Sequence, residues 1–221
     1  MARLLVLAVF IVGCDAASDP GDLEIQVQTD LLPGFEFTEV RTTLEAADSM
    51  SDDPQIVRAL TSEHPSYLSG RQVAVYRGVA PNEGGVFVEI LAGEDVLLDR
   101  RAGFAIPSGG NASITVQLTR DCLGASCPTG GDAPTATECL SGGCVPASCT
   151  PQSPSTCPVE RCSRDSDCDA RGIDCAVGRC AAGRCLLAAD ESLCGPTERC
   201  DLAVGCVGAP LADAGVADAG G

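Results

Sequence analysis

The chain has 221 residues, of which 31 are acidic and 14 basic, for a net charge of −17. Every basic residue is an arginine, and the negative balance repels nucleic acid and anionic headgroups, which sets nucleic-acid binding aside. With no tryptophan, two tyrosines and five phenylalanines against fifteen cysteines, the chain cannot rely on an ordinary hydrophobic core along its whole length.

Residues 1–14, MARLLVLAVFIVGC, put Arg3 ahead of an uncharged apolar run from Leu4 to Val12. This is a signal-peptide pattern, and the run of about nine residues falls short of the roughly 20 that span a bilayer as a helix. Its end, Ile11-Val12-Gly13-Cys14, resembles the bacterial lipobox. The resemblance implies cleavage before Cys14 and attachment of a diacylglyceryl group to its sulfur, a reaction that suits a thiolate nucleophile. Two or more acyl chains then hold the protein firmly to a membrane. A plain secretory signal with a cysteine at this place is the alternative.

After a linker at 15–21, residues 22–120 hold all the remaining aromatics and read as a domain with its own core. Leu23-Glu-Ile-Gln-Val-Gln-Thr29 alternates strictly and predicts a strand with one buried face. Pro33-Gly34 then predicts a type II turn. A second strand is expected over 35–44, with a bulge near Thr38 where the apolar phase shifts. The polar stretch 47–70 reads as a long loop with at most one short element. Strands resume at 72–76 and 86–91, Gly93-Glu94-Asp95 connects a hairpin to 96–104, and Ile114-Thr-Val-Gln-Leu118 closes the domain. Six or seven short strands separated by turn signals predict an antiparallel sandwich.

No catalytic constellation stands out in this domain. His64, the single histidine, sits beside Pro65 and reads as a solvated loop residue, and Arg100-Arg101 reads as a solvated strand edge before it reads as a ligand contact. There is no Gly-x-Ser-x-Gly and no phosphate-binding glycine loop. Asn111-Ala112-Ser113 matches a glycosylation acceptor by chance for a bacterial lipoprotein.

Residues 121–208 lack aromatics and carry Cys122, Cys127, Cys139, Cys144, Cys149, Cys157, Cys162, Cys168, Cys175, Cys180, Cys185, Cys194, Cys200 and Cys206. That density predicts a disulfide scaffold of seven bridges, with roughly 135,000 possible pairings left open by the sequence. Zinc is the competitor, but the segment has neither Cys-x-x-Cys nor histidine. Four-residue spacings recur between neighbouring cysteines, and glycines in Cys139-Leu-Ser-Gly-Gly-Cys144, Cys175-Ala-Val-Gly-Arg-Cys180 and Cys180-Ala-Ala-Gly-Arg-Cys185 predict tight hairpins. Cys180 cannot serve both neighbours, so long and short loops must be knitted together. Asp165, Asp167 and Asp169 alternate as in a calcium loop, yet Ala170 and Ala176 stand where that template needs glycine and glutamate, and turn-fixing carboxylates are expected instead.

Cys162-Ser-Arg-Asp165-Ser-Asp167-Cys168 with Cys175, Cys180 and Cys185 resembles cysteine-rich repeats of the Dickkopf N-terminal type. Together with Thr29-Asp30-Leu-Leu-Pro33-Gly34-Phe-Glu36-Phe37 and Thr119-Arg120-Asp121-Cys122, it makes the chain similar to a group of uncharacterised myxobacterial cysteine-rich lipoproteins. That resemblance implies an envelope location and carries no activity over. The low-complexity end, 209–221, is too poor in large apolar residues to fold and reads as a disordered acidic tail.

The expectation is therefore an all-β chain: an antiparallel β-sandwich followed by a small disulfide-rich, loop-dominated module. It is expected to be a non-enzymatic lipoprotein of the bacterial envelope, at the outer membrane or cell surface, with no cofactor and with a binding or structural role. The alternatives are a disulfide-rich inhibitor or effector, with Pro158-Val-Glu-Arg161 as its presented loop, and a carbohydrate-binding lipoprotein. The last is weakened by the scarcity of stacking aromatics.

Overall fold

The computed structural model describes residues 19–45, 53–81, 83–128, 136–157 and 162–208. The expected signal segment with Cys14, the loop at 158–161 and the tail at 209–221 lie outside them. The fold is all-β with a disulfide-rich second part. Strands β1 (Gly21–Thr29), β2 (Glu39–Glu45), β3 (Gln55–Arg58), β4 (Arg71–Val79), β5 (Glu83–Ala92), β6 (Asp95–Ala105) and β7 (Ala112–Leu118) make two sheets. Their orders are β4-β1-β7 and β3-β2-β5-β6. The alternating strands bury Leu23, Ile25 and Val27 from one sheet and Val86, Val88 and Ile90 from the other in a single core. Each such side chain contributes about 1.5–3 kcal/mol on burial.

Every strand pair of the sandwich is antiparallel except one, since β1 and β7 run parallel from Leu23↔Ala112 to Thr29↔Leu118. That register delivers both strands to the same end of the sandwich. Asp30 thereby meets Arg120, whose backbone N–H donates to Asp30 Oδ1 at 2.7 Å.

Two readings of the sequence change here. The turn at Pro33-Gly34 forms, with Phe35 N–H donating to Leu32 O at 3.3 Å and Gly34 at φ +73°. However, the second strand starts only at Glu39, because Glu36 and Phe37 also donate to Leu32 O and the Glu36 carboxylate accepts the Leu32 N–H. A compact turn therefore replaces the expected bulge near Thr38. The stretch read as a loop with one element holds β3, which pairs along β2, then a 3-10 turn and helix α1 (His64–Ser69). Pro65 occupies the first turn of α1, where its missing N–H costs nothing. The helix buries Tyr67 edge-on against Phe37, with ring centroids 5.3 Å apart.

The second part is built of three hairpins: β8 (Glu138–Leu140) with β9 (Gly143–Val145), β10 (Ala176–Ala181) with β11 (Arg184–Ala189), and β12 (Glu198–Asp201) with β13 (Gly205–Gly208). Each hairpin sets two cysteines directly opposite one another, Cys139↔Cys144, Cys180↔Cys185 and Cys200↔Cys206. These neighbours do not bond to each other. Each reaches back to a cysteine earlier in the chain: Cys122–Cys139 and Cys127–Cys144, Cys162–Cys180 and Cys168–Cys185, Cys175–Cys200 and Cys194–Cys206. Cys149–Cys157 closes a separate short loop. None of the four-residue spacings is a bridge, and two of them, Cys139 to Cys144 and Cys180 to Cys185, mark hairpins.

Ser141-Gly142 and Ala182-Gly183 both have positive φ at both positions, as a two-residue type I′ hairpin requires. The glycine between Cys175 and Cys180 has another role. Gly178 lies inside β10, where an added Cβ would stand 2.3 Å from Cys168 O, so the close passage of the Cys168 backbone excludes a side chain.

The hairpin module lies on the flank where β6 and β7 end their sheets. Outward N–H groups on these edge strands are received by the module: Arg101 donates to Glu138 Oε2 at 2.7 Å, Gly103 to Ala147 O at 2.9 Å, and Thr115 to Gln152 Oε1 at 3.0 Å. Cys122 joins the sandwich core and Cys139 packs against it.

Arg100 and Arg101 depart from the solvated edge expected of them. Arg100 is 0 % exposed. Its guanidinium donates to Gln117 O on β7 at 3.0 Å and to Cys149 O in the module. Burial pulls its pKa down to about 10, opposed by Glu138 and assisted by the like charge of Arg184, so it stays protonated at neutral pH. Arg101 points outward, pairs with Glu45 at 2.5 Å and lies over Phe87.

Replacing Arg100 by Leu leaves the Gln117 and Cys149 carbonyls without a donor and is expected to cost about 3 kcal/mol or more in denaturant unfolding with the disulfides intact. Arg101→Ala removes a half-exposed pair and is expected to cost less than about 1 kcal/mol. Equal costs for the two would contradict the assigned roles.

Candidate functional site

A cleft of about 420 Å³ opens where the sandwich meets the hairpin module. One wall comes from the turn after β1, with Leu32, Pro33 and Phe35, from the 3-10 turn, with Thr61 and Ser62, and from the start of α1, with His64 and Pro65. The other comes from the module, with Ala189 at the end of β11, Glu191, and Arg199 and Cys200 on β12. Leu32 also packs into the module's small core of Cys175, Ala176, Leu187, Cys200 and Leu202, which fixes the two walls to each other. Asp30 does the same by hydrogen bonds, accepting from Arg120 N on one side and Leu187 N at 3.3 Å on the other. Burial raises the Asp30 pKa, and the two N–H donors and the Arg120 charge oppose that rise.

The charged side chains in the cleft and behind its wall differ in how far they are committed. Glu36 is held by Arg120 at 2.5 Å and by the Leu32 N–H at 2.7 Å. Glu191 Oε2 accepts from Cys200 N at 2.9 Å. Arg199 stacks on Phe35, its guanidinium carbon 3.7 Å from the ring centroid, and its Nε is buried without a hydrogen-bond partner. Phe35 is still 41 % exposed.

His64 is half-buried at the start of α1 instead of solvated in a loop, and its Nε2 is buried with no partner. Desolvation lowers its pKa below the ordinary 6.5, against the attraction of Glu36 and Glu191 and with the help of Arg120. The imidazole is therefore neutral near pH 7. Among the described residues no hydrogen bond couples His64 to the hydroxyls of Thr61 or Ser62. The cleft offers one cation, one carboxylate held by the Cys200 N–H, one neutral imidazole and two hydroxyls set among apolar walls.

The other residues singled out in the sequence have structural roles. Asp165 accepts from Cys180 N at 2.9 Å and pairs with Arg179, Asp167 gathers the Ser163 and Arg164 N–H groups, and Asp169 accepts from Arg171 N at 3.0 Å. Asp167 and Asp169 fix turns, as expected, whereas Asp165 ties its turn to β10. Asn111 Oδ1 accepts the Asp22 N–H at 2.9 Å and helps seat the start of β1.

The sulfurs of Cys162, Cys168 and Cys185 lie within 4.8 Å of one another, as do those of Cys175, Cys194 and Cys206. These groupings come from disulfides that stack in pairs. Each sulfur is already bonded to another, whereas metal ligation requires a thiolate. Phe35, Arg199 and Glu191 were not singled out in the sequence, since nothing local marks residues so far apart as members of one cleft.

The single histidine makes the titration directly observable. The unfolded chain binds a proton near pH 6.5 and the folded chain only at lower pH, so stability attributable to His64 is present above that value and is lost on acidification through the folded pKa. In NMR the imidazole signal is expected to titrate with a midpoint below 6.5. Over the same range His64→Gln should lose less stability than the wild type. A midpoint at or above 6.5 would contradict the buried, unpartnered imidazole.

No protein-family model, curated protein or solved structure matches this chain, so the reading of the site rests on its own residues.

Proposed function

We propose that the chain is a lipid-anchored protein of the bacterial cell envelope with a non-catalytic binding or structural role, related to the myxobacterial cysteine-rich lipoproteins it resembles. The observation that carries this reading is the seven-disulfide module locked against the sandwich, with a cleft between them. Seven disulfides belong to an oxidising, extracytoplasmic compartment. Among the described residues no helix is long and apolar enough to cross a membrane. Anchoring is assigned to an acyl group on Cys14, at the end of the apolar leader. The outer membrane or cell surface is the expected place.

A binding role is favoured by how the charges are used. Glu36 and Glu191 are tied up in holding the walls of the cleft, and His64 has no hydroxyl to activate among its described hydrogen bonds. The carbohydrate-binding alternative is weakened because both tyrosines, Tyr67 and Tyr76, lie in the sandwich core and present no stacking face.

Intact-mass analysis of membrane fractions tests the anchor. The wild type is expected to partition with membranes as a mature chain beginning at Cys14 and carrying the mass of the acyl groups, and Cys14→Ser is expected to lose both properties. A soluble, unmodified wild type would overturn the proposal.

A further inference from the structure

We propose that the cleft between sandwich and module binds a small organic monocarboxylate, its anionic head on Arg199 and its apolar body against Phe35, Leu32 and Pro65. The inference rests on the reading of this protein as a binder and does not depend on the anchor.

The first argument is charge complementarity. Seven arginines pair with carboxylates of this strongly acidic chain: Arg41, Arg71, Arg101, Arg120, Arg164, Arg171 and Arg179. Among the described residues no carboxylate pairs with Arg199, although Glu191 lines the same cleft. Its planar guanidinium is held on the Phe35 ring at 3.7 Å, and its buried Nε lacks an acceptor. A guanidinium fixed by stacking meets a carboxylate in bidentate fashion with little further loss of freedom.

The second argument is the neighbouring chemistry. His64 lines the same cleft and, neutral near pH 7, sets no charge against an anionic head group there. The charged residues lining the cleft limit the ligand's charge. Arg199 is the one cation in the lining and Glu191 shares that lining, so a single guanidinium matches one carboxylate and leaves the second charge of a dianion such as a phosphate monoester unmatched. Leu32, Pro33, Phe35 and Pro65 supply an apolar wall, and about 420 Å³ is the size of a small-molecule pocket.

The test is calorimetric titration of the full chain in a non-ionic detergent with 3-phenylpropionate and hexanoate, their matching amides, and phenyl phosphate. The acids are expected to bind at least roughly tenfold more tightly than the amides and the phosphate ester, the difference a charged hydrogen bond contributes. Arg199→Gln is expected to bring acid and amide to parity. Arg199→Lys is expected to keep part of the preference, and Arg77→Gln, on the open surface, to keep all of it. The His64 imidazole signal should shift during the acid titration.

Equal binding of acid and amide overturns the proposal. So does a preference that survives in Arg199→Gln, or the absence of binding by every probe in the millimolar range. Unchanged unfolding midpoints of the variants separate loss of the site from loss of the fold. Failure here leaves the acyl mass on Cys14 untouched, and failure of the mass experiment leaves the carboxylate preference untouched, so the two readings fall separately.

Discussion

Arg100 projects inward from β6 in phase with Leu98, Ala102 and Phe104, and its fully buried charge has to be met by oxygen atoms from outside its own sheet. One comes from Gln117 on β7 and the other from Cys149 in the hairpin module. The guanidinium thus ties the edge of one sheet to the edge of the other and both to the segment that covers them. An inward-facing arginine without that cover would be a buried cation with too few acceptors, a costly arrangement. The sandwich and the module consequently depend on each other, although the chain supplies them one after the other.

The division of labour follows from composition. Seven strands rich in branched residues close a core but leave β6 and β7 as edges with open N–H groups, which invite pairing with other chains. The module answers those groups with Glu138, Ala147 and Gln152 while contributing few large side chains of its own. Its rigidity comes from bridges of which four close separations of 17 or 18 residues. Each such closure restricts the unfolded chain by about 3 kcal/mol on the loop-entropy account. The repeated geometry, two cysteines opposite one another on a hairpin and each bonded backwards, lets one simple element be used three times.

Much of the sandwich was legible because alternation is a local signal. β1 and β7 follow the apolar phase of their residues, the β5–β6 connection falls at Gly93, and Pro33-Gly34 turns where its residue types demand. Arg100 also carried a readable signal, since the phase of Leu98, Ala102 and Phe104 points it inward, but a doublet of arginines suggests a wet edge. The proline after His64 marked a helix start that polarity disguised as loop. The parallel β1–β7 pairing, the disulfide partners and the cleft were not legible. They depend on contacts such as Phe35 with Arg199, which no local pattern encodes.

The most direct measurement of this mutual dependence is residue-resolved hydrogen exchange on the full chain with Cys149 and Cys157 both replaced by serine. That change frees the loop whose neighbours supply the acceptors for Gly103 and Thr115 and the carbonyl that meets Arg100. The account predicts faster exchange at the Gly103 and Thr115 amides, with the β1–β4 amides unchanged. Unchanged exchange at Gly103 and Thr115 would contradict it, because the loop closed by this bridge would then not be what holds the acceptors of those amides.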